Sequence, residues 1–307
     1  MTKVRAFGKV ILFGEHAVVY GYPAIAAALD RGVEAEARAS QTPGLFISPW
    51  DLSIAPSREG SGPYAQIAQA FAALLEAYGP TTVAQVDAFA AIPAGAGLGC
   101  SAALGVAIVK ALDDLNARER SLEDVVNVSL AWERVFHGNP SGIDSVLAAR
   151  GGVVRFARGQ ALVPIIPRDP LIFAVASTAE SASTKSMVDS VARQREKTPA
   201  RVEQTFEAIG AIVNNAHLAI EQGDAKALGQ LLDMNHTLLS GLMLSTTRLE
   251  ALRALAKDHH ALGAKLTGSG GGGALIALCP EPREERAALL KSLSQFSDDV
   301  FEMTVRA

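Results

Sequence analysis

Three glycines at alternate positions, followed by a serine, form the stretch of this sequence best suited to bind a phosphate group. Gly95, Gly97 and Gly99 allow backbone angles that other residues avoid, and they let a ligand approach the main chain closely. Ser101 lies where a helix is predicted to begin, and residues 102–115 are small and apolar, as in a buried helix. The first turn of such a helix has free N–H groups and partial positive charge, which favour phosphate binding.

The same residues fit other interpretations less well. Residues 97–102 match the loose dinucleotide pattern G-x-G-x-x-G/A. That pattern requires a strand with an acidic residue about 20 positions later, whereas residues 121–124 have the composition of a capped helix start. A Walker motif is excluded because no Gly-Lys-Ser/Thr follows. An ordinary glycine turn between a strand and a helix remains the alternative.

A charged residue inside an apolar strand marks the N-terminal region. Residues 4–13 have the composition of a strand, but Lys9 interrupts them, and Glu15 and His16 follow as a polar pair. Lys9 could be an edge-strand lysine whose ammonium group stays in water. Alternatively, Lys9 serves a phosphoryl group, and Glu15 and His16 face the same site. The local sequence leaves both interpretations open.

Two carboxylates lie on either side of a turn in the middle of the chain. Glu133 is near the end of a helix predicted over 121–137, and Asp144 follows the turn signal at 139–142. Glu133 could be a solvated helix residue, and Asp144 could be a helix cap. Their alternative role is chemical, as a metal ligand or a proton acceptor.

A second glycine-rich stretch lies near the C-terminus. Five of the six residues from 268 to 273 are glycine, Ser269 is the exception, and Lys265 precedes them. Glycines lose extra backbone entropy on ordering, so such a run indicates that something approaches the backbone closely. A flexible hairpin connection is the alternative.

Alternating strands and helices must position these residues. The patterns predict an irregular loop or hairpin over 41–62 and a Pro-containing connection between the strands at 152–156 and 171–176. A domain boundary is expected there. The other predicted strands cover 23–29, 32–39, 82–92, 274–279 and 300–305, and the other predicted helices cover 64–78, 145–149, 199–222, 224–234, 246–259 and 283–293, with one more starting at 183.

Composition limits the class of protein. The 307 residues are 49% hydrophobic and 20% charged, as in a globular protein of about two domains. A net charge of −4 argues against general nucleic-acid binding, which requires a basic surface. The only cysteines, Cys100 and Cys279, form no disulfide framework or metal cluster, so the cytoplasm is the expected location. Polar residues interrupt the N-terminal apolar run, and we expect neither a signal peptide nor a membrane span.

Three of these stretches, in this order, resemble the signature motifs of the GHMP small-molecule kinases. They are residues 8–16, residues 93–103 and residues 265–273. Within that superfamily, residues 14–21, 133–144 and 183–185 resemble the mevalonate kinases. The resemblance implies an α+β protein with the two-domain GHMP kinase fold. Residues 1–168 would form a ribosomal-protein-S5-like domain that binds nucleotide and Mg²⁺, and residues 169–307 would form a ferredoxin-like domain with the closing glycine loop.

The resemblance also implies a role for each matching residue. ATP would be bound by the central loop and Mg²⁺ by Ser101 and Glu133. Glu15, His16 and Thr184 would line the mevalonate pocket, and the final glycine loop would close over the reacting groups. Asp144 would lie beside the attacking hydroxyl and either accept its proton or orient it, and Lys9 would lie near Asp144 and the transferred phosphoryl group. The implied nucleotide-binding residues are Pro93, Gly95, Ala96, Gly97, Leu98, Gly99, Cys100, Ser101 and Ala102, and the implied acceptor-binding residues are Lys9, Glu15, His16, Asp144, Thr184, Gly268 and Ser269.

The chain departs from the usual family pattern at three places. Cys100 stands where serine is common, and Ser269 where alanine is common. No arginine lies near residues 183–185, so Lys185 is expected to supply the positive charge that faces the acceptor.

Several functions remain open at this level. A related kinase could act on homoserine, a sugar or phosphomevalonate, although the Thr-Asp-Tyr run typical of galactokinases is absent after His16. A non-catalytic binding protein would not need Lys9, Ser101, Glu133 and Asp144 together. Decarboxylation of a diphosphorylated mevalonate is a third alternative. A homodimer is one candidate for the oligomeric state.

Overall fold

A computed structural model describes residues 2–48, 50–59, 62–138, 140–180 and 182–306 of the chain. Asn139, the first residue of the predicted turn at 139–142, lies outside them. The chain forms two compact units. Unit 1 comprises Met1–Lys9, Asp30–Ala94 and Gly99–Gly151, and unit 2 comprises Val10–Leu29, Gly95–Leu98 and Gly152–Ala307. The predicted boundary between residues 168 and 169 divides the chain by sequence order, and it stays a prediction.

Strands β1 (Val4–Phe13) and β2 (Ala24–Ala39) contribute residues to both units, and β1 pairs with β2. Unit 1 also contains β3 (Gly44–Ser48), β4 (Leu52–Ile54) and β5 (Ala84–Ala90). The second part of β2 runs antiparallel to β5, and β5 runs parallel to β3. β3 and β4 form an antiparallel hairpin, as one of the alternatives for 41–62 predicted.

One continuous strand, β2, replaces the two strands predicted at 23–29 and 32–39. Asp30 and Arg31 expose their side chains but leave the backbone extended. Gly32 continues the pairing, since its carbonyl accepts a hydrogen bond from Ala91 N. A polar pair on a strand therefore changes which residues face water without ending the strand.

Helices α1 (Ala65–Tyr78), α2 (Cys100–Leu115), α3 (Leu122–His137) and α4 (Ile143–Arg150) complete unit 1. α2 is buried along most of its length because small and apolar residues cover all its faces. It packs against α3, where a Cβ added to Gly105 would lie 3.1 Å from the Trp132 ring. Ser121 caps α3 by accepting a hydrogen bond from Asp124 N, as its sequence predicts.

Unit 2 contains a four-stranded sheet and a smaller pairing. β6 (Val153–Phe156) pairs with the first part of β2 and with β7 (Val163–Ile165), a strand inside the predicted Pro-containing connection. β8 (Leu171–Ser177), β9 (Gly263–Thr267), β10 (Ala274–Leu278) and β11 (Val300–Val305) form a sheet in the order β11-β8-β10-β9, with every pair antiparallel. This is the ferredoxin-like order that the resemblance implied.

Five helices belong to this sheet's unit: α5 (Thr184–Lys197), α6 (Pro199–Gln222), α7 (Ala225–Gly241), α8 (Thr247–Asp258) and α9 (Arg283–Leu293). Ser183, Asp224 and Thr246 cap α5, α7 and α8 with their side-chain oxygens. α7 extends past residue 234, where its predicted end lay. Within the described ranges, no helix combines the length and the apolar character needed to cross a membrane.

Two glycines let α7 approach the start of β9. A Cβ added to Gly263 would lie 2.0 Å from the carbonyl oxygen of Gly229, and a Cβ added to Gly229 would lie 2.4 Å from the carbonyl oxygen of Leu262. Backbone therefore contacts backbone at this point, and a side chain at either position would separate α7 from β9.

We expect Gly263→Ala to lower the free energy of unfolding on the order of 3 kcal/mol, since overpacking against rigid backbone has costs of this size. The matched control is Gly241→Ala, because a Cβ at Gly241 meets no atom within 4 Å among the described residues. That substitution should be neutral or slightly stabilising. Thermal denaturation of both variants measures the difference, and equal melting temperatures would contradict the packing argument.

Candidate active site

The central glycine loop has the backbone that its spacing predicted. Gly95, Gly97 and Gly99 all adopt left-handed angles, with φ of +77°, +75° and +75°. Positions 95 and 97 are open, since an added Cβ would meet no described atom within 4 Å. Gly99 is the N-cap residue of α2 and has no side chain with which to cap the first turn. The first N–H groups of α2 can therefore bind an anion.

Several side chains of this loop are buried, whereas its backbone is open to a ligand. Leu98, Cys100 and Ala102 are buried, so only their main-chain atoms can contact a nucleotide. Burial raises the pKa of the Cys100 thiol to about 12, which makes it unreactive near neutral pH. Ser101 was expected at the start of the helix, but α2 begins at Cys100 and Ser101 lies within its first turn. Its hydroxyl therefore does not cap the helix and bonds another side chain instead.

That partner is Glu133, on α3. Ser101 Oγ donates to Glu133 Oε1 at 2.5 Å, and Trp132 Nε1 donates to Ser101 Oγ at 3.2 Å. Glu133 is buried, not solvated as one interpretation had it. Burial raises the pKa of its carboxyl group, and the hydrogen bond from Ser101 opposes this. His137, one helical turn away, lies 3.8 Å from the other carboxylate oxygen.

Lys9 and Asp144 form the second pair of unit 1. Lys9 Nζ lies 3.4 Å from Asp144 Oδ1, and the aspartate side chain is 37% exposed whereas the lysine side chain is only 11% exposed. Asp144 is in the first turn of α4, whose N-cap is Gly142, so Asp144 is not the cap. The lysine chain packs against the end of the glycine loop, since a Cβ at Gly99 would lie 2.8 Å from Lys9 Cγ.

These two pairs form one electrostatic cluster. Asp144 raises the pKa of Glu133 and Lys9 lowers it, in addition to the larger effect of burial. We call the four residues the transfer cluster: Lys9, Ser101, Glu133 and Asp144.

Unit 2 contains a different group of the predicted residues. Glu15 and Lys265 form an ion pair in which both side chains are at most 1% exposed. Asn235 Nδ2 donates to the other carboxylate oxygen of Glu15 at 3.2 Å, and Lys265 also donates to the carbonyl oxygen of Leu266. Burial raises the pKa of Glu15 and lowers that of Lys265, and the mutual attraction of the two groups opposes both shifts. The pair is sealed from water.

Lys265 and Asn235 are the residues that sequence reasoning missed. Lys265 was noted only as the beginning of the glycine motif, but it lies in β9, a strand in which every residue is buried. The available signal was a lysine in an apolar strand, the same signal that identified Lys9. Asn235 gives no such signal, because it is one polar residue among many on α7.

His16 is fixed by the loop that follows β9. Its Nε2 lies 2.8 Å from the carbonyl oxygen of Ser269. A carbonyl can only accept, so Nε2 has the hydrogen and Nδ1 has the lone pair in the neutral ring. Burial lowers the pKa of His16, although the bond to Ser269 opposes this, and the ring is neutral near pH 7. One more contact lies nearby, where Thr267 Oγ1 accepts from Ile11 N at 3.0 Å and donates to Ile11 O at 2.9 Å.

We call these contacts the acceptor clamp. It consists of Ile11, Glu15 and His16 on one segment and Lys265, Thr267 and Ser269 on the other.

Hydrogen bonds hold the second glycine loop in place, so it is not the flexible hairpin that was the alternative. Gly271 N donates to Leu244 O at 2.8 Å, and Gly273 N donates to Glu180 O at 2.7 Å. A Cβ at Gly271 would lie 2.7 Å from Met187 Sδ on α5, so the start of that helix packs against the loop. Gly268 has open space instead, and Thr184 and Lys185 are exposed in the first turn of α5.

The oxygen atoms and backbone amides around Ser101 suit a magnesium ion and a polyphosphate. Among residues 2–48, 50–59, 62–138, 140–180 and 182–306, no three His, Cys, Asp or Glu side chains are grouped to hold a metal ion. Mg²⁺ does not require such a group, because it binds one or two protein oxygens together with phosphate oxygens and water. The adjacent oxygens of Ser101 and Glu133 fit that requirement, and the open glycines beside uncapped helix amides fit a polyphosphate.

Comparison with known proteins identifies the family. The GHMP kinases N terminal domain matches residues 65–152, and the GHMP kinases C terminal domain matches residues 216–297. The mevalonate kinase of Pyrococcus abyssi (strain GE5 / Orsay) is 35% identical, with 95% of this chain and 92% of that protein covered.

Solved structures agree with the sequence relatives. The L. major mevalonate kinase in complex with R-mevalonate is 29% identical with a TM-score of 0.86, covering 100% of this chain and 96% of that one. The Methanococcus jannaschii mevalonate kinase is 26% identical with a TM-score of 0.84, covering 99% and 97%. This similarity agrees with the glycine loop and with the pairing of a lysine and an aspartate. We conclude that this chain belongs to the mevalonate kinase family of the GHMP kinases.

Proposed function

We propose that this chain transfers the γ-phosphoryl group of ATP to the 5-hydroxyl of (R)-mevalonate, giving 5-phosphomevalonate for isoprenoid biosynthesis. The observation that supports this most directly is the 3.4 Å pair of Lys9 and Asp144 within the transfer cluster. Family membership supports the substrate, because the relatives are mevalonate kinases and one of the similar structures contains R-mevalonate. An alcohol kinase needs a group for the hydroxyl proton and positive charge for the phosphoryl group, and this pair offers both.

Asp144 acts on the hydroxyl of the acceptor in this proposal. Its exposed carboxylate accepts a hydrogen bond from the hydroxyl, which directs the oxygen toward phosphorus, and takes the proton as the new bond forms. Lys9 keeps the carboxylate in place through their ion pair. Its ammonium group also lies where it can stabilise negative charge on the transferred group.

The glycine loop and the start of α2 bind the phosphates. Backbone N–H groups of residues 99–102 supply fixed partial positive charge, and Gly95 and Gly97 leave the space for close approach. Ser101 and Glu133 would hold Mg²⁺, which would neutralise charge on the phosphate oxygens when bound. Trp132 fixes the Ser101 hydroxyl, and thereby one of the two ligand oxygens.

Residues of unit 2 bind the acceptor in this proposal. His16, Thr184, Gly268 and Ser269 are the predicted contacts. Glu15 was also predicted, but it is 1% exposed and paired with Lys265, so it does not contact the acceptor directly. Lys185 supplies positive charge for the carboxylate of mevalonate. A cytoplasmic location and a homodimer stay predictions from the sequence.

Substitution of Asp144 tests the transfer step. We expect Asp144→Asn to lower kcat by roughly 100-fold to 10,000-fold, as for loss of a group that handles a proton in the transition state, while ATP still binds. Steady-state kinetics and ATP titration measure the two effects. The control is Asp87→Asn, which removes an exposed ion pair with Arg38 in unit 1. Near-native turnover of Asp144→Asn would contradict the proposed role.

Substitution of Glu133 tests the metal site. We expect Glu133→Gln to raise the Mg²⁺ concentration needed for half-maximal activity by roughly tenfold or more. Because burial raises the pKa of Glu133, protons compete with the metal in wild-type protein as pH falls through that pKa. The wild-type magnesium requirement should therefore rise on mild acidification, and that of the variant should change less. Equal magnesium curves for the two proteins at every pH would exclude Glu133 as a ligand.

A panel of acceptors tests the substrate. Release of ADP is measured with mevalonate, phosphomevalonate, homoserine and galactose, and release of CO₂ is measured with diphosphorylated mevalonate. We expect the highest kcat/KM with mevalonate and no CO₂. A higher kcat/KM with another alcohol would overturn the proposed substrate while leaving the kinase chemistry intact.

A further inference from the structure

The acceptor clamp contains a carboxylate that is not free to bind a ligand. Glu15 is 1% exposed, and its two oxygens are engaged by Lys265 and Asn235. Its sequence position had predicted a contact with the acceptor. Because Glu15 is buried as well as paired, it acts through its neighbours and not by direct contact.

The neighbour that matters is His16. It has a positive φ of 61°, an uncommon angle for a residue with a side chain, so the surrounding contacts must hold it there. Two restraints act on it, one on the preceding backbone and one on the ring. Glu15 fixes the backbone immediately before it, and the carbonyl of Ser269 receives the Nε2 hydrogen.

Lys265 connects those two restraints. It pairs with Glu15 and lies four positions before Ser269, in the strand that leads into the glycine loop. Thr267 lies between them and is bound to Ile11 by two hydrogen bonds. Residues 265, 267 and 269 each hold the other segment of the clamp, and the contact made by Thr267 does not depend on charge.

From this geometry we infer that Lys265, with Glu15 and Thr267, is a positioning residue that holds His16 in one orientation and one tautomer for acceptor recognition. The inference rests on the proposed function for the role of His16, but the orientation and tautomer do not depend on it. A neutral His16 with hydrogen on Nε2 offers Nδ1 as an acceptor only. It therefore suits a hydroxyl group of the ligand, not a carboxylate.

The experiment uses full-length protein with ¹⁵N-labelled histidine. Long-range ¹H–¹⁵N correlation spectra report which ring nitrogen has the hydrogen, and His16→Gln identifies the His16 signals among the six histidines. The variants are Lys265→Met, the double substitution Glu15→Gln with Lys265→Met, and Thr267→Val. Kinetics with mevalonate and ATP and thermal denaturation are measured for each.

We expect wild-type His16 to show hydrogen on Nε2 alone. Lys265→Met should give mixed tautomers and raise KM for mevalonate by roughly tenfold, with KM for ATP changed less than about twofold. The double substitution removes the unpaired buried charge and should recover melting temperature. It should keep the mixed tautomers and the raised KM. If the pair were merely structural, the double substitution would restore both to their wild-type values. Thr267→Val keeps the side-chain volume and should also give mixed tautomers and a raised KM for mevalonate. It replaces Lys265→Met as the test if that variant does not fold.

The matched control is Lys257→Met. Lys257 donates to Asp233 at 2.8 Å, and Asp233 also accepts from Ala264 N, so this pair supports β9 at a site outside the clamp. That variant should lose stability without any change in the His16 spectrum or in KM for mevalonate.

Two results would overturn the inference. One is recovery of both the single tautomer and the wild-type KM in the double substitution, which would make the ion pair purely structural. The other is an unchanged His16 spectrum in all three variants. If wild-type protein does not phosphorylate mevalonate, the proposed function fails, and the spectra alone decide whether Lys265 positions His16.

Discussion

A buried ammonium group requires an anionic partner, and two lysines impose this requirement on the fold. Lys9 in β1 and Lys265 in β9 are both buried, in strands of mainly apolar residues. Leaving either one unpaired would have a large desolvation cost, so the chain must bring a carboxylate to each. Asp144 comes from the start of α4, and Glu15 comes from the segment after β1. Long-range contacts within each unit follow from these two pairs.

The two pairs differ in solvent access, and the difference separates their roles. Asp144 is 37% exposed, so its carboxylate can meet a ligand while it stays paired with Lys9. Glu15 and Lys265 have essentially no exposure, so their charges neutralise each other and hold neighbouring backbone. A lysine paired with a carboxylate therefore gives the proposed reactive pair in unit 1 and the inferred positioning pair in unit 2. The solvent exposure of the carboxylate, more than the identity of the residues, distinguishes the two pairs.

How far the sequence predicts the molecule depends on whether a signal is local. The left-handed glycines at 95, 97 and 99 follow from spacing alone, because only glycine adopts those angles without strain. Most helices end where caps and glycines indicate. β7 was missed, since prolines usually interrupt strands, and its Pro164 is accommodated where β7 pairs with β6 alone.

The site was less predictable where it depends on tertiary packing. The sequence indicated Lys9, Ser101, Glu133 and Asp144, but not that the Ser101 hydroxyl bonds Glu133 instead of capping α2. That choice depends on α3 packing against α2 across Gly105, which brings Glu133 within reach. Lys265 was overlooked for a similar reason. Its partner Glu15 is 250 positions away, and no local pattern connects them.

Two of the three departures from the family pattern lie at positions where the main chain, and not the side chain, makes the proposed contact. Cys100 replaces the common serine, but its side chain is buried, and the proposed phosphate contact uses its N–H group. Ser269 replaces the common alanine, and the bond to His16 uses its carbonyl oxygen. Main-chain atoms are the same in every residue, so these substitutions leave both contacts in place. Departures at Lys9, Glu133 or Asp144 would remove the functional atom itself, and at those three positions the chain keeps the family residue.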